Sequence, residues 1–442
     1  MNKDGSDGND GRAPARHRRS GPIAAALTGM VLVATALTAP APAMAGTAGT
    51  TAPAHAASTT RTTATAGTTT GTAGITSTAG TVGITGTAGR ARMACGDGSY
   101  NAEAVLSGST WTARNGSRTV YTGTSMLSAM QAAVGSLTSG RTSKQRVVVR
   151  GSGSMSAGSR LSLPSYTALD VCGTVNVTGS GSGDQAVVYA RGVRDVEVQN
   201  LRITGAPLYG IFVRNGTNIT LGQIDIRVSR GLGIRIDNHG DRSVRTRNVR
   251  IDNVYVSGTS AHGVETYGLD GLTVGTVTAR NTGESGLLLN DTINATVGLV
   301  DAQGAGTGTG YAAFRMANRN GRIGGSYPTN VRVGQVIARG GGRGIFCVSE
   351  SGGAVIDRVD IAQTGSNSIL VENCYNVTIA QSGGSVTGPG DIRLASRTEF
   401  PVNANVTIQN LRVTDSAIIE NPCGNGTVVR NNTLVNSRIG VC

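Results

Sequence analysis

Asp237 and Glu265 are the residues of this chain best placed to move a proton. They fall in consecutive copies of a short alternating segment, Gly233-Ile-Arg-Ile-Asp237 and Gly263-Val-Glu-Thr-Tyr267. Every second side chain of such a segment faces away from the core. With strands stacked about 4.8 Å apart and two residues spanning about 6.6 Å, the two carboxylates lie roughly 8 Å apart on the diagonal. A gap of about 6.5–9.5 Å suits a hydrolase in which one carboxylic acid protonates the leaving oxygen and the other carboxylate activates water. Arg235 and Arg315 share the outward column of Glu265, and their charges work against an acid role for it. His262, just before the second segment, is the third catalytic candidate. His239, Tyr267 and Asn290 join Arg235 and Arg315 as substrate-binding candidates.

The same residues support a second chemistry. An arginine neutralises the carboxylate of a uronate, and Tyr267 or His262 serves as base or acid in an elimination. A lysine base is excluded, because no lysine follows Lys144. No metal or cofactor is expected, except that a calcium-assisted elimination would call on Asp237, Asp241 and Glu265 as oxygen ligands. Asp291 and Glu284 are read as subsite residues, Glu350 and Glu372 as surface. The competing account is an outward charge ladder that only keeps a sheet soluble.

These residues are positioned by a repeat. Segments such as Gly210-Ile-Phe-Val213 followed by Asn218-Ile-Thr-Leu221 recur every 23 to 31 residues from Ala186 to the C-terminus. The residues that precede the first strands are Ala186, Gly210, Gly233, Gly263, Gly286, Ala313, Gly344, Ser368, Asp391 and Ser416. One such unit cannot bury its own apolar face, so stacked copies must share a core: a β-solenoid. Thr124–Leu137 carries an amphipathic helical pattern just before the first coils, as an N-terminal cap would. Two coils are longer than the rest between first and second strands, at Asn238–Arg247 and Asn318–Thr329. Insertions leaving the same turn build a walled cleft over the central coils.

Residues 1–45 read as a secretion signal: Arg16-His-Arg-Arg19, an apolar stretch from Ile23 to Ala39, then Ala43-Met-Ala45. Residues 46–90 are almost wholly Thr, Ala and Gly and read as a disordered linker, leaving 91–442 as the folded domain. Six cysteines in an exported chain imply three disulfides, with Cys95–Cys172, Cys347–Cys374 and Cys423–Cys442 preferred. The formal net charge is +13, carried by 37 arginines. That balance either attracts polyanions or reflects arginine filling solvated positions. Aromatic residues are 3% of the chain, which argues against a nucleic-acid partner. No membrane partner is expected once the signal is removed.

From about Thr124 to Cys442 the coil pattern, the cap helix and the secretion signal resemble right-handed parallel β-helix carbohydrate-active enzymes, the pectate-lyase-like superfamily that includes polygalacturonases. The resemblance implies an all-β, right-handed parallel β-helix and a polysaccharide substrate. Polygalacturonase-type members carry N-T-D-G, D-D and G-H-G segments. Ala261-His262-Gly263 matches the last in part, whereas Pro207-Leu-Tyr-Gly210 and Arg230-Gly-Leu-Gly233 lack the aspartates. Any hydrolytic carboxylates here are therefore different ones. The expectation is a secreted, monomeric, extracellular enzyme cleaving glycosidic bonds of an acidic polysaccharide. Hydrolysis leads, elimination follows, and a non-catalytic carbohydrate-binding solenoid is the rival.

Overall fold

The structure is a computed structural model that describes residues 94–308 and 310–442. The signal expected over 1–45 and the linker over 46–90 lie outside these residues. The chain is an all-β right-handed parallel helix. A twelve-stranded sheet of short segments and an eighteen-stranded sheet that holds all the long ones wind around one core. Short strands such as Leu232–Asp237, Val264–Tyr267 and Leu287–Asn290 pair in parallel, each with its counterpart one coil away. Their inward column, Ile211, Ile234, Val264, Leu287, Phe314, Ile345 and Ile369, is fully buried. Each such side chain contributes about 1.5–3 kcal/mol of burial.

Long strands such as Thr217–Val228 and Leu269–Arg280 bend at midpoint. At Gly275 and Gly298 a Cβ would come within 2.3 and 2.5 Å of a carbonyl of the preceding coil, so glycine allows the close approach at these two coils. Asn218, Asn248, Asn294, Asn376 and Asn405 sit at the openings of these strands with φ of 52–57°. Asparagine tolerates that left-handed turn, and its amide ties coils together: Asn248 Nδ2 donates to Asn218 Oδ1 at 3.1 Å.

The pairing confirms the expected marker at Ala313, so Arg315 points outward beside Leu288 and Phe346. It corrects both end markers by one residue. Val188 pairs with Ile211 and Ile418 with Ile392, which makes Val187 and Ala417 the equivalents of Gly210 and Asp391 rather than Ala186 and Ser416. Around Ala186 the run is apolar throughout, so period two had no polar side to read. The helix spans Met126–Gly135, with Ser125 accepting from the Ser128 amide, and buries Met126, Ala129, Met130, Ala133 and Val134. Among the described residues no helix is long and apolar enough to cross a membrane.

All three expected disulfides are present, closing separations of 77, 27 and 19 residues. Chain entropy ranks them in that order, from about 4.5 kcal/mol for the first to about 3 kcal/mol for the last. Urea midpoints of the Cys95→Ala/Cys172→Ala and Cys423→Ala/Cys442→Ala pairs are expected to show the larger loss in the first. An equal loss would contradict that ranking.

Candidate functional site

The outward face of the short-strand sheet carries two columns in register. One reads Phe212, Arg235, Glu265, Leu288, Arg315, Phe346, and the other Arg214, Asp237, Tyr267, Asn290, Ala317. Both match the sequence reading. What lies over them does not. The Asp237 side chain is 0% exposed. Arg214 Nε and Nη2 bind its two oxygens at 2.7 and 3.0 Å, and Arg235 Nε binds Oδ2 at 2.8 Å. The His239 amide donates to Oδ1 at 3.2 Å. Burial would raise the Asp237 carboxyl, but hydrogen bonds from Arg214 and Arg235 and their charges hold it below the ordinary value. Asp237 is thus a sealed anion that aims two guanidinium groups.

Glu265 lies on the other side of Arg235. Its Oε2 is 3.4 Å from Arg235 Nη1, its Oε1 takes a long 3.4 Å contact from Asn290 Nδ2, and its side chain is 11% exposed. Arg235 therefore bridges the two expected carboxylates, of which Glu265, 11% exposed against 0%, is the less enclosed. His239 Nδ1 lies 3.1 Å from Arg235 Nη2, which can only donate, so the ring proton sits on Nε2. Its ring meets Tyr267 edge-on at 4.4 Å.

His262 belongs to a second cluster at the opposite edge of the same face. Its Nδ1 accepts from the Ser285 amide at 3.1 Å and its Nε2 reaches Glu284 Oε2 at 2.9 Å. Both ring nitrogens are engaged. Burial would raise Glu284, but the His262 hydrogen bond and charge, helped by Tyr311 and Arg315, hold it below the usual carboxylate range. Arg315 spans the Tyr311 and Phe346 rings at 5.9 and 5.4 Å.

A cleft of about 440 Å³ lies beside this face, lined by Tyr267, Asp291, Asn318, Arg319, Ser349, Glu350 and Phe400, so the second expected insertion walls it and the first, 238–247, does not. Asp237 and Glu265 do not line it, so this cleft flanks the charged row. Glu350, read as surface, is a wall residue. Its backbone and those of Arg319 and Ser349 are held at φ of 56–63°, costly for side chains of this kind. Phe400 comes from a third insertion, missed in the sequence. The offset from Asp391 to Asn405 is 405 − 391 = 14 residues, against 8 from Gly210 to Asn218, so the rule that found the other two would have found it. Asn373 pins this loop, donating to the carbonyls of Arg397, Phe400 and Pro401 at 2.9–3.3 Å. Tyr327 of the second insertion donates to the Glu350 carbonyl and packs on Tyr375, which donates to the Pro401 carbonyl at 3.2 Å. Burial pushes Tyr327 up to about 12, keeping it a donor.

The calcium set is not gathered. Asp237 faces arginines and Asp241 accepts from Ser243. Among the described residues the group close enough to share an ion is Cys95, Asp170 and Cys172, whose sulfurs form a disulfide.

Three folded-state pKa values below ordinary ones give a pH prediction. Burial lowers His239, and Asp237 and Glu284 are lowered as described. On acidification the unfolded chain takes up each proton first. Stability is therefore full above the unfolded values and is lost as pH falls toward the folded ones. Urea midpoints are expected to decline from about pH 6.5 through His239 and again below about pH 4 through the carboxylates. His239→Gln should remove the first decline, and its persistence would exclude His239 as the source.

Residues 186–299 match the family described as the right-handed beta helix region. Solved structures with similar folds include two A-modules of Azotobacter vinelandii mannuronan C-5 epimerases. AlgE6 has 14% identity over 71% of this chain and 90% of that one, with a TM-score of 0.38. AlgE4 has 14% identity over 71% and 91%, with a TM-score of 0.34. The receptor-binding tailspike of bacteriophage Det7 has 12% identity over 68% and 74%, with a TM-score of 0.34. No curated protein matches the chain in sequence.

Proposed function

We propose that this right-handed β-helix is a secreted, monomeric enzyme that cleaves glycosidic bonds in a uronate-containing polysaccharide. The observation that carries the reading is the outward row in which Glu265, less enclosed than Asp237, lies between the coils of Arg235 and Arg315 and beside Tyr267. Hydrolysis by two carboxylates needs Asp237 at the substrate, and its 0% exposure argues against that. Elimination needs one proton acceptor beside cations, which is what this face offers. Arg315 pairs with the uronate carboxylate and makes the neighbouring C5 proton more acidic. Glu265 takes that proton, the C5–H electron pair becomes the C4–C5 double bond, and the C4–O bond breaks. Tyr267 gives its proton to the departing oxygen. Asn290 and the cleft beyond Tyr267 hold adjoining sugar units. His239 and His262 act as positioning residues, the first through Arg235 and the second through Glu284. No metal is assigned to the step.

The helix Met126–Gly135 is read as the cap of the N-terminal coils, since its buried methionines and alanines join their core. Three disulfides accord with an extracellular setting.

The test is incubation of the purified protein with neutral and uronate polysaccharides, following reducing ends and ultraviolet absorbance together. Elimination raises both signals, because each cut leaves a conjugated double bond. Reducing ends without absorbance would return the reading to hydrolysis. Silence across a broad panel would leave a non-catalytic binding solenoid.

A further inference from the structure

The long-strand sheet holds a concavity that the cleavage reading does not use. At its bend, in the N-terminal coils, a groove of about 600 Å³ runs from the Cys95–Cys172 disulfide to Tyr255 and shares no residue with the row or the cleft. Asn200, Gln223 and Asn253 occupy the same position on three successive coils. Asn200 Nδ2 donates to Asp170 Oδ1 at 2.8 Å, and Asn253 Nδ2 donates to Gln223 Oε1 at 3.0 Å. Among the described residues that leaves Asn200 Oδ1, Gln223 Nε2 and Asn253 Oδ1 with no protein partner. They form a row of acceptor, donor and acceptor stepping by about 4.8 Å per coil.

Beside this row two exposed arginines share one carboxylate. Asp225 takes both Arg202 and Arg227 at 2.8 Å, and Arg227 lies over the Tyr255 ring at 4.4 Å. Leu201 and Ile224 lie under the groove at the bend as core residues, 2% and 3% exposed. We propose that this groove binds an uncharged pyranose chain. A hydroxyl both donates and accepts, so a chain of them answers an alternating row of amide groups. Ligand sites of this kind are concave and carry a few placed polar groups, which the amide row supplies here. Sugar residues in an extended chain advance by nearly the coil rise, so successive rings meet equivalent positions.

The site is independent of the cleavage reading, and its test separates the two. The intact protein is titrated calorimetrically with cellohexaose, xylohexaose, mannohexaose and a hexauronate. At least one neutral hexamer is expected to bind, with an affinity unchanged in Glu265→Gln. That affinity should fall about tenfold or more in Gln223→Ala/Asn253→Ala, the loss of one or two hydrogen bonds. The isosteric Asn253→Asp should weaken it too, and serves if the double variant does not fold. Three results would overturn the proposal: no neutral hexamer binding, binding indifferent to both groove variants, or a hexauronate whose binding depends on Gln223 and Asn253.

Discussion

Glu265→Gln is expected to lower kcat by about a hundred- to ten-thousand-fold, the usual worth of a positioned general base, and to leave the fold intact. Glu265 is the one acid in its column, placed between Arg235 and Leu288, and the amide keeps its size while removing the charge. Asn290 Nδ2 already approaches one oxygen at 3.4 Å, and a glutamine can keep that contact through its carbonyl. Arg235 loses one of two anionic partners but keeps Asp237, so the row should not collapse. Substrate should therefore still bind, and KM should move far less than kcat. Tyr267→Phe is expected to lower turnover in the same way by removing the proton given to the leaving oxygen. A Glu265→Gln protein that turned over at the wild-type rate would remove Glu265 from the chemistry. Activity lost together with cooperative unfolding would instead make it structural.

Asp237→Ala should act on stability, by about 3–5 kcal/mol, because it strips the anion from two part-buried guanidinium groups. The side chains of Arg214 and Arg235 are only 15% and 20% exposed, and both take Asp237 as a short-range partner. Arg214 keeps Asp184 at 3.2 Å and Arg235 keeps Glu265 at 3.4 Å, which sets the loss toward the lower end. Adding Arg214→Ala to Asp237→Ala should cost less than the sum of the single changes, since the second removes a charge that the first left unpaired. Urea unfolding of the three variants at neutral pH measures this directly. A single-variant loss under about 1 kcal/mol would mean that the cluster is solvated like an ordinary surface pair.

How far the sequence carries is visible residue by residue. Ile234 and Ile236 alternate with Arg235 and Asp237, so the side each faces was legible from period two, and so were both outward columns. Cysteines near the ends and on adjacent coils gave the three pairs. What period two cannot tell is what covers an outward residue. Asp237 is outward and yet sealed, because Arg214 arrives from the preceding coil and the segment after Asp237 folds back on it. His262 looked free to move protons, but its second nitrogen is taken by an amide 23 residues later, a contact with no local signature. Both end registers slipped by one where the strand lacks polar alternation. The Phe400 insertion does have a sequence signature, the 14-residue offset from Asp391 to Asn405.

The three inserted loops leave the same corner of coils that advance by about 4.8 Å each. Whatever occupies the face between them is therefore measured in whole steps. The first and second insertions follow the strands that end at Asp237 and Ala317, with the strands ending at Tyr267 and Asn290 between. Duplicating one of those middle coils would move the two insertions apart by a single increment without altering either one, because each coil packs only on its neighbours. The solenoid is thus a ruler as well as a scaffold. The length of chain it accepts should change in jumps of one unit, and never by fractions.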